Sequence, residues 1–169
     1  MKHSYFLQQA LKQAIKAKSE GQNPIGCVIV NEKGEIIARA HNEVAKRNDK
    51  TAHAEMLAIK KAMRFIVGEN IRGWTLYTTV EPCLMCMGTI IMIHLGKVVW
   101  GTNNVHIETH KMLKANPYLR TRKLVTIACP DAELEKQCRM MNEAYWIDQG
   151  RPDANQPVNE ETEISVKRL

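Results

Sequence analysis

The sequence predicts a layered α/β domain, one sheet with helices packed on both faces. Three observations carry that prediction. Helix-like and strand-like segments alternate along the 169 residues. The strand-like segments are short runs of β-branched and aromatic residues bounded by turns. The helix-like segments place apolar residues three and four apart. A chain of this length fits one domain whose core needs neither metal nor disulfide. That domain is expected over residues 1–150, followed by a polar, mobile tail over 151–169 (RPDANQPVNEETEISVKRL).

The elements follow in order. From about Ser4 to Lys18, Phe6, Leu7, Ala10, Leu11, Ala14 and Ile15 mark one helix face. Residues 24–30 (PIGCVIV) form a buried strand, 31–34 (NEKG) a turn and 35–41 a second strand, so the pair is a hairpin. Thr51 is expected to cap a helix from about Ala52 to Phe65, and Trp74 to Thr79 to form the third strand. Cys83 to His94 reads as a helix stopped by Gly96. A fourth strand is placed over 97–101 and a fifth over 123–128. Pro130 opens the last helix, acidic in its first turn at Asp131 and Glu133 and running to about Ile147.

Composition narrows the function classes. No apolar run reaches the roughly 18 residues a membrane span needs, and the N-terminal segment is expected to form an amphipathic helix rather than a leader. A cytoplasmic protein with no membrane partner is the expectation. The five cysteines are an odd number in a chain without an export signal, which favours thiols or metal ligands over a disulfide framework. The formal charge of +6 admits polyanions as partners.

Three features converge on one chemistry. His53-Ala54-Glu55 stands at a predicted helix start, Pro82-Cys83-Leu84-Met85-Cys86 opens another helix, and about 30 residues separate them. Two thiols on one helical turn can grip a single ion, and a helix N-terminus favours their thiolate form. One imidazole from a neighbouring helix completes three protein ligands, leaving a position for water as in catalytic zinc sites. Zinc lowers the pKa of such a water towards roughly 7. Glu55, two residues from the ligating histidine, is then free to carry protons. Alone, an H-x-E or a C-x-x-C is weak, the latter serving equally as a redox dithiol or a structural half-site. The order H-x-E…P-C-x-x-C is the signature of zinc deaminases.

With these residues the chain resembles the cytidine deaminase superfamily, in the branch of free-base (cytosine, guanine) deaminases and tRNA adenosine deaminases. The matching stretches are PIGCVIV, HNE, TAHAEMLAI, LYTTVEPCLMCMGTIIM and VVWGT, across roughly residues 5–148. The resemblance implies an α/β/α sandwich around a central five-stranded mixed sheet, usually a homodimer or larger. It implies one zinc ion per chain held by His53, Cys83 and Cys86. Glu55 would take a proton from the attacking water, protonate the ring nitrogen and release the amine as ammonia. Asn42 matches a position that hydrogen-bonds the base, and the Ala54 N–H one that reads the ring.

The substrate is less legible. Glu81 with Asn42 resembles the purine-acting members, whereas Ile90-Ile91-Met92 and YLRTRKLVTIACPDAELEKQC resemble fungal-type cytosine deaminases. Trp100 is placed at the active-site rim, and Tyr145 and Trp146 either close over the base by stacking or pack on the sheet. The stretch from His110 to Lys123 holds Lys111, Lys114, Arg120, Arg122 and Lys123 without an acidic residue, so it either meets phosphates or is a solvated face. Gly101 to His106 (GTNNVH) departs from the Ala-Arg-Asp-like turn of the bacterial tRNA-acting members. A free base or nucleoside of cytosine or guanine type is therefore expected first, with tRNA adenosine as the alternative. A zinc-fold module that only binds leaves Glu55 without a purpose, and a thiol oxidoreductase leaves both His53 and Glu55 so. Cys27, Cys129 and Cys138 are expected in the core, His94 in a helix's last turn, and His41 and His106 near the pocket.

Overall fold

Five strands of the computed structural model, which describes residues 2–151, form a single mixed sheet in the order β2-β1-β3-β4-β5. They are β1 (Gly26–Val30), β2 (Ile36–His41), β3 (Thr75–Val80), β4 (Lys97–Thr102) and β5 (Val125–Ala128). Strand β1 is antiparallel to both its neighbours, whereas β3, β4 and β5 run parallel. The β1–β2 hairpin turns where the sequence places it: the Gly34 N–H donates to the Asn31 carbonyl at 3.0 Å, and Gly34 takes a φ of +84°.

The inner strands are buried on both faces, and their side chains alternate between two cores. Cys27, Ile29, Leu76, Val98 and Trp100 join the core beneath helices α3 (Ala54–Ile66) and α4 (Leu84–Met92). Val28, Val30, Tyr77 and Val99 join the opposite core, with Phe6, Leu7 and Ala10 of α1 (Lys2–Ser19) and Leu134 and Cys138 of α7 (Ala132–Asp148). This is the three-layer α/β/α sandwich. Each fully buried leucine or isoleucine contributes about 1.5–3 kcal/mol, several times what a residue's helix propensity supplies. Packing on the sheet therefore holds these helices.

Several boundaries differ from the sequence expectation, each for a local reason. Thr51 does not cap α3: its hydroxyl donates to Asp49 Oδ1 at 2.7 Å, and the helix begins two residues later with His53 at the N-cap. Helix α4 ends at Met92, before Gly96. His94 leaves it in the left-handed region (φ 60°), so it is not in the last turn. Gly96 is needed instead for close packing, since a Cβ there would stand 1.6 Å from the Arg72 carbonyl oxygen. Pro130 precedes the last helix rather than opening it. Asp131 is the N-cap, accepting from the Leu134 N–H at 3.1 Å. The short helices α2 (Val44–Arg47), α5 (Thr109–Ala115) and α6 (Pro117–Thr121), and a 3-10 turn at Ile71–Gly73, have no sequence counterpart. They are too short and polar to show a period. Beyond Arg151, the expected tail lies outside the described residues.

Candidate active site and metal centre

One end of the sheet gathers the start of β1, the end of β2 and the carboxyl ends of β3 and β4. The pairings of Gly26 with His41 and of Val80 with Thr102 fix this arrangement. Sites of open α/β sheets lie at such carboxyl ends. Here β3 runs out into Glu81-Pro82-Cys83, and helices α3 and α4 both begin there.

His53 and Cys83 occupy the N-cap positions of α3 and α4, and Cys86 follows in the first turn of α4. His53 Nδ1 lies 3.6 Å from each sulfur, and the sulfurs lie 3.6 Å from one another. Tetrahedral zinc with bonds of 2.0–2.3 Å separates neighbouring donors by roughly 3.5–3.8 Å. The near-equilateral triangle and its donor set, one imidazole and two thiols, therefore fit zinc. It is the metal-competent cluster of His, Cys, Asp and Glu among the described residues. The hydrogen bond with Cys86, aided by His53, brings the Cys83 thiol down to about 4. Cys86 moves strongly upward, through that same bond and its burial.

Glu55, in the first turn of α3, is only 3% exposed. Its Oε1 accepts the Thr78 hydroxyl at 3.0 Å, and its Oε2 lies 3.6 Å from Cys86 Sγ. Burial raises its pKa above the ordinary carboxylate value, which suits a group that must both take and give a proton near neutrality.

His53, Cys83 and Glu55 line a cavity of about 490 Å³, whose wall also holds Asn42, Glu81 and Trp146. That volume suits a nucleoside-sized ligand. Asn42 Oδ1 already accepts the Val44 N–H at 3.1 Å, which aims the amide. Ala54, fully buried between His53 and Glu55, is not part of the wall. Trp100 stands apart as well. Strand alternation turns it into the core under α4, where its indole N–H donates to Asn103 Oδ1 at 2.8 Å.

Glu81 is bound up within the protein. Its Oε1 accepts from Thr109 Oγ1, from the His110 N–H and from His110 Nδ1, each at 2.8 Å, and its Oε2 accepts from the Asn104 N–H at 3.2 Å. One carboxylate with a fully buried side chain thus ties the segment before Cys83 to the loop after β4. Tyr145 and His106 line the cavity, whereas His41 does not; it bonds Glu20 at 3.2 Å. Gln22, Asn23, Lys50, Asn104, Ile107 and Asn142 complete much of the wall without having been signalled by the sequence. They sit in loops or singly on α7, where no spacing rule applies. All five cysteines are free, Cys27 and Cys138 buried and Cys129 partly so.

The model of the cytidine and deoxycytidylate deaminase zinc-binding region matches residues 1–102. A tRNA-specific adenosine deaminase of Aquifex aeolicus (strain VF5) is 46% identical over 101 residues, covering 60% of this chain and 66% of its own. The chain thus spans about two thirds of that relative's length. Among solved structures, one comes from studies of A-to-I editing by tRNA:A34 deaminases at the wobble position. It superposes with a TM-score of 0.69 at 28% identity, covering 82% of this chain and 99% of its own. A guanine deaminase from Bacillus subtilis gives a TM-score of 0.57 at 35% identity, covering 66% of this chain and 70% of its own. The matched region contains His53, Glu55, Cys83 and Cys86, and this chain belongs to the cytidine and deoxycytidylate deaminase zinc-binding family.

Proposed function

We propose that this protein hydrolytically deaminates adenosine in tRNA to inosine, with one zinc ion per chain. The observation that carries the chemistry is the placement of the buried Glu55 carboxylate beside the His53–Cys83–Cys86 triangle in a nucleoside-sized cavity. For the substrate, the sequence ordered a free base or nucleoside ahead of tRNA. The relatives favour the reverse, since the Aquifex protein is named for tRNA adenosine and the structural neighbour comes from A-to-I editing work.

Zinc in this ligand set supplies Lewis acidity that makes water nucleophilic at neutral pH. The chain's own residues do the rest. Asn42 and the cavity wall orient the base. Glu55 takes a proton from the water that adds to the carbon bearing the amino group and delivers it to the ring nitrogen. A second proton passes through Glu55 to the amino nitrogen, the C–N bond breaks, and ammonia leaves with the keto base behind. Thr78 keeps the carboxylate in place.

The guanine deaminase neighbour keeps a second reading in view, a free purine as substrate. Ammonia release by the zinc-loaded protein separates the two, measured with guanine, cytosine, adenosine and an adenosine-containing tRNA anticodon stem-loop. Release from the stem-loop with inosine formation supports the tRNA reading. Release from guanine alone replaces it. The homodimer expectation has support in the exposed Leu84 and Met92 of α4, and sedimentation tests it.

A further inference from the structure

Five cations crowd the segment from His110 to Lys123, and no acidic residue offsets them there. The fold makes this segment two short helices, α5 and α6, joined at Asn116. Lys111 is spent on Glu108 at 2.7 Å. The Arg122 guanidinium lies 4.7 Å from the centre of the Tyr118 ring. Lys114, Arg120 and Lys123 are exposed and make no ion pair among the described residues. Tyr118 is itself 58% exposed.

Position distinguishes this patch from an ordinary solvated face. Asn104, His106 and Ile107 line the active-site cavity, and α5 begins at Thr109, two residues further on. Glu81 holds this junction through Asn104, Thr109 and His110. The basic helix pair therefore grows directly out of the cavity wall and is fastened to the segment that presents Cys83. A nucleotide whose base enters the cavity leaves its sugar–phosphate chain at the mouth, where flanking phosphates meet this surface. An exposed tyrosine among the cations supplies a face on which a neighbouring unpaired base can stack.

We propose that the α5–α6 pair is an RNA-binding arm: Lys114, Arg120 and Lys123 neutralise phosphates flanking the target nucleotide, and Tyr118 stacks on an adjacent base. The family model ends at residue 102, so this arm belongs to the part of the chain the model does not match. The proposal rests on the tRNA reading above and adds where the RNA outside the cavity is held.

The test is steady-state deamination of an anticodon stem-loop at several salt concentrations, comparing the wild type with the triple variant Lys114→Gln/Arg120→Gln/Lys123→Gln and with Tyr118→Ala. Three lost phosphate contacts on a single strand should lower the slope of log(kcat/KM) against log[salt] by about 2. KM of the triple variant should rise about tenfold or more near physiological salt, with kcat at saturating RNA and the melting temperature unchanged. Tyr118→Ala should raise KM roughly fivefold or more. Unchanged KM and salt slope in a folded triple variant would overturn the arm while leaving the tRNA reading intact. A wild type that converts no RNA overturns both, and the wild-type control alone reveals it.

Discussion

Thr78, fully buried on β3, donates its hydroxyl to Glu55 Oε1 at 3.0 Å, so the sheet itself holds the proton-carrying carboxylate of α3. The bond crosses between two elements of the sandwich core. It makes the fold, rather than a mobile loop, responsible for where Glu55 points. Replacing Thr78 by valine keeps the shape and removes the bond. We expect kcat to fall about tenfold or more with KM nearly unchanged, and Thr78→Ser to restore it. Equal losses in the valine and serine variants would assign Thr78 a packing role only.

Glu81 is a second carboxylate with a structural task. Its four hydrogen bonds gather the loop after β4. Glu81→Gln mismatches these donors in a buried site, and we expect it to lose roughly 2–3 kcal/mol of stability. KM should rise because Asn104, His106 and Ile107 line the cavity. Denaturant unfolding and steady-state kinetics check the two effects separately.

Gly96 tests the packing of the fold away from the site. A Cβ there would lie 1.6 Å from the Arg72 carbonyl oxygen, a backbone atom that cannot swing aside. Gly96→Ala should cost roughly 3 kcal/mol and lower Tm by roughly 10 °C. An unchanged Tm would contradict the close approach.

Glu20 makes the stability of the fold depend on pH. Hydrogen bonds from Lys46 and from His41 hold its carboxyl down to about 2, against an ordinary 4.5. A depressed carboxylate contributes stability that is present above the unfolded-state value and lost as pH falls through the folded one. Glu20→Gln should therefore be less stable than the wild type at neutral pH, with the difference shrinking between 4.5 and about 2. Urea unfolding across that window measures it. A difference that stays constant with pH would assign the loss to something other than this charge.

The layered α/β class was legible because the alternation of helix-like and strand-like segments rests on short-range rules. Local spacing pairs His53 with Glu55 and Cys83 with Cys86, but joining the two helix starts, about 30 residues apart, rested on the match to the zinc deaminase signature. Glu81 and Trp100 show the limit. Both stand within matched stretches, yet their surroundings come from the loop after β4 and from strand alternation. Neither is encoded next to them in the chain. Lys50, Asn23 and Asn142 reach the cavity from separate segments that only the folded domain brings together. The basic stretch was visible as composition, but its continuity with the cavity wall depends on Glu81 gripping Thr109 and His110.

In the proposed reaction Glu55 carries the protons of a hydrolysis at a zinc site it does not help to hold. Zinc content and inosine formation of Glu55→Gln, measured side by side with the wild type on the same anticodon stem-loop, test it most directly. About one zinc per chain is expected in both proteins, with a loss of at least 10²–10⁴-fold in turnover in the variant. Turnover near the wild-type rate in a zinc-loaded Glu55→Gln protein would contradict it.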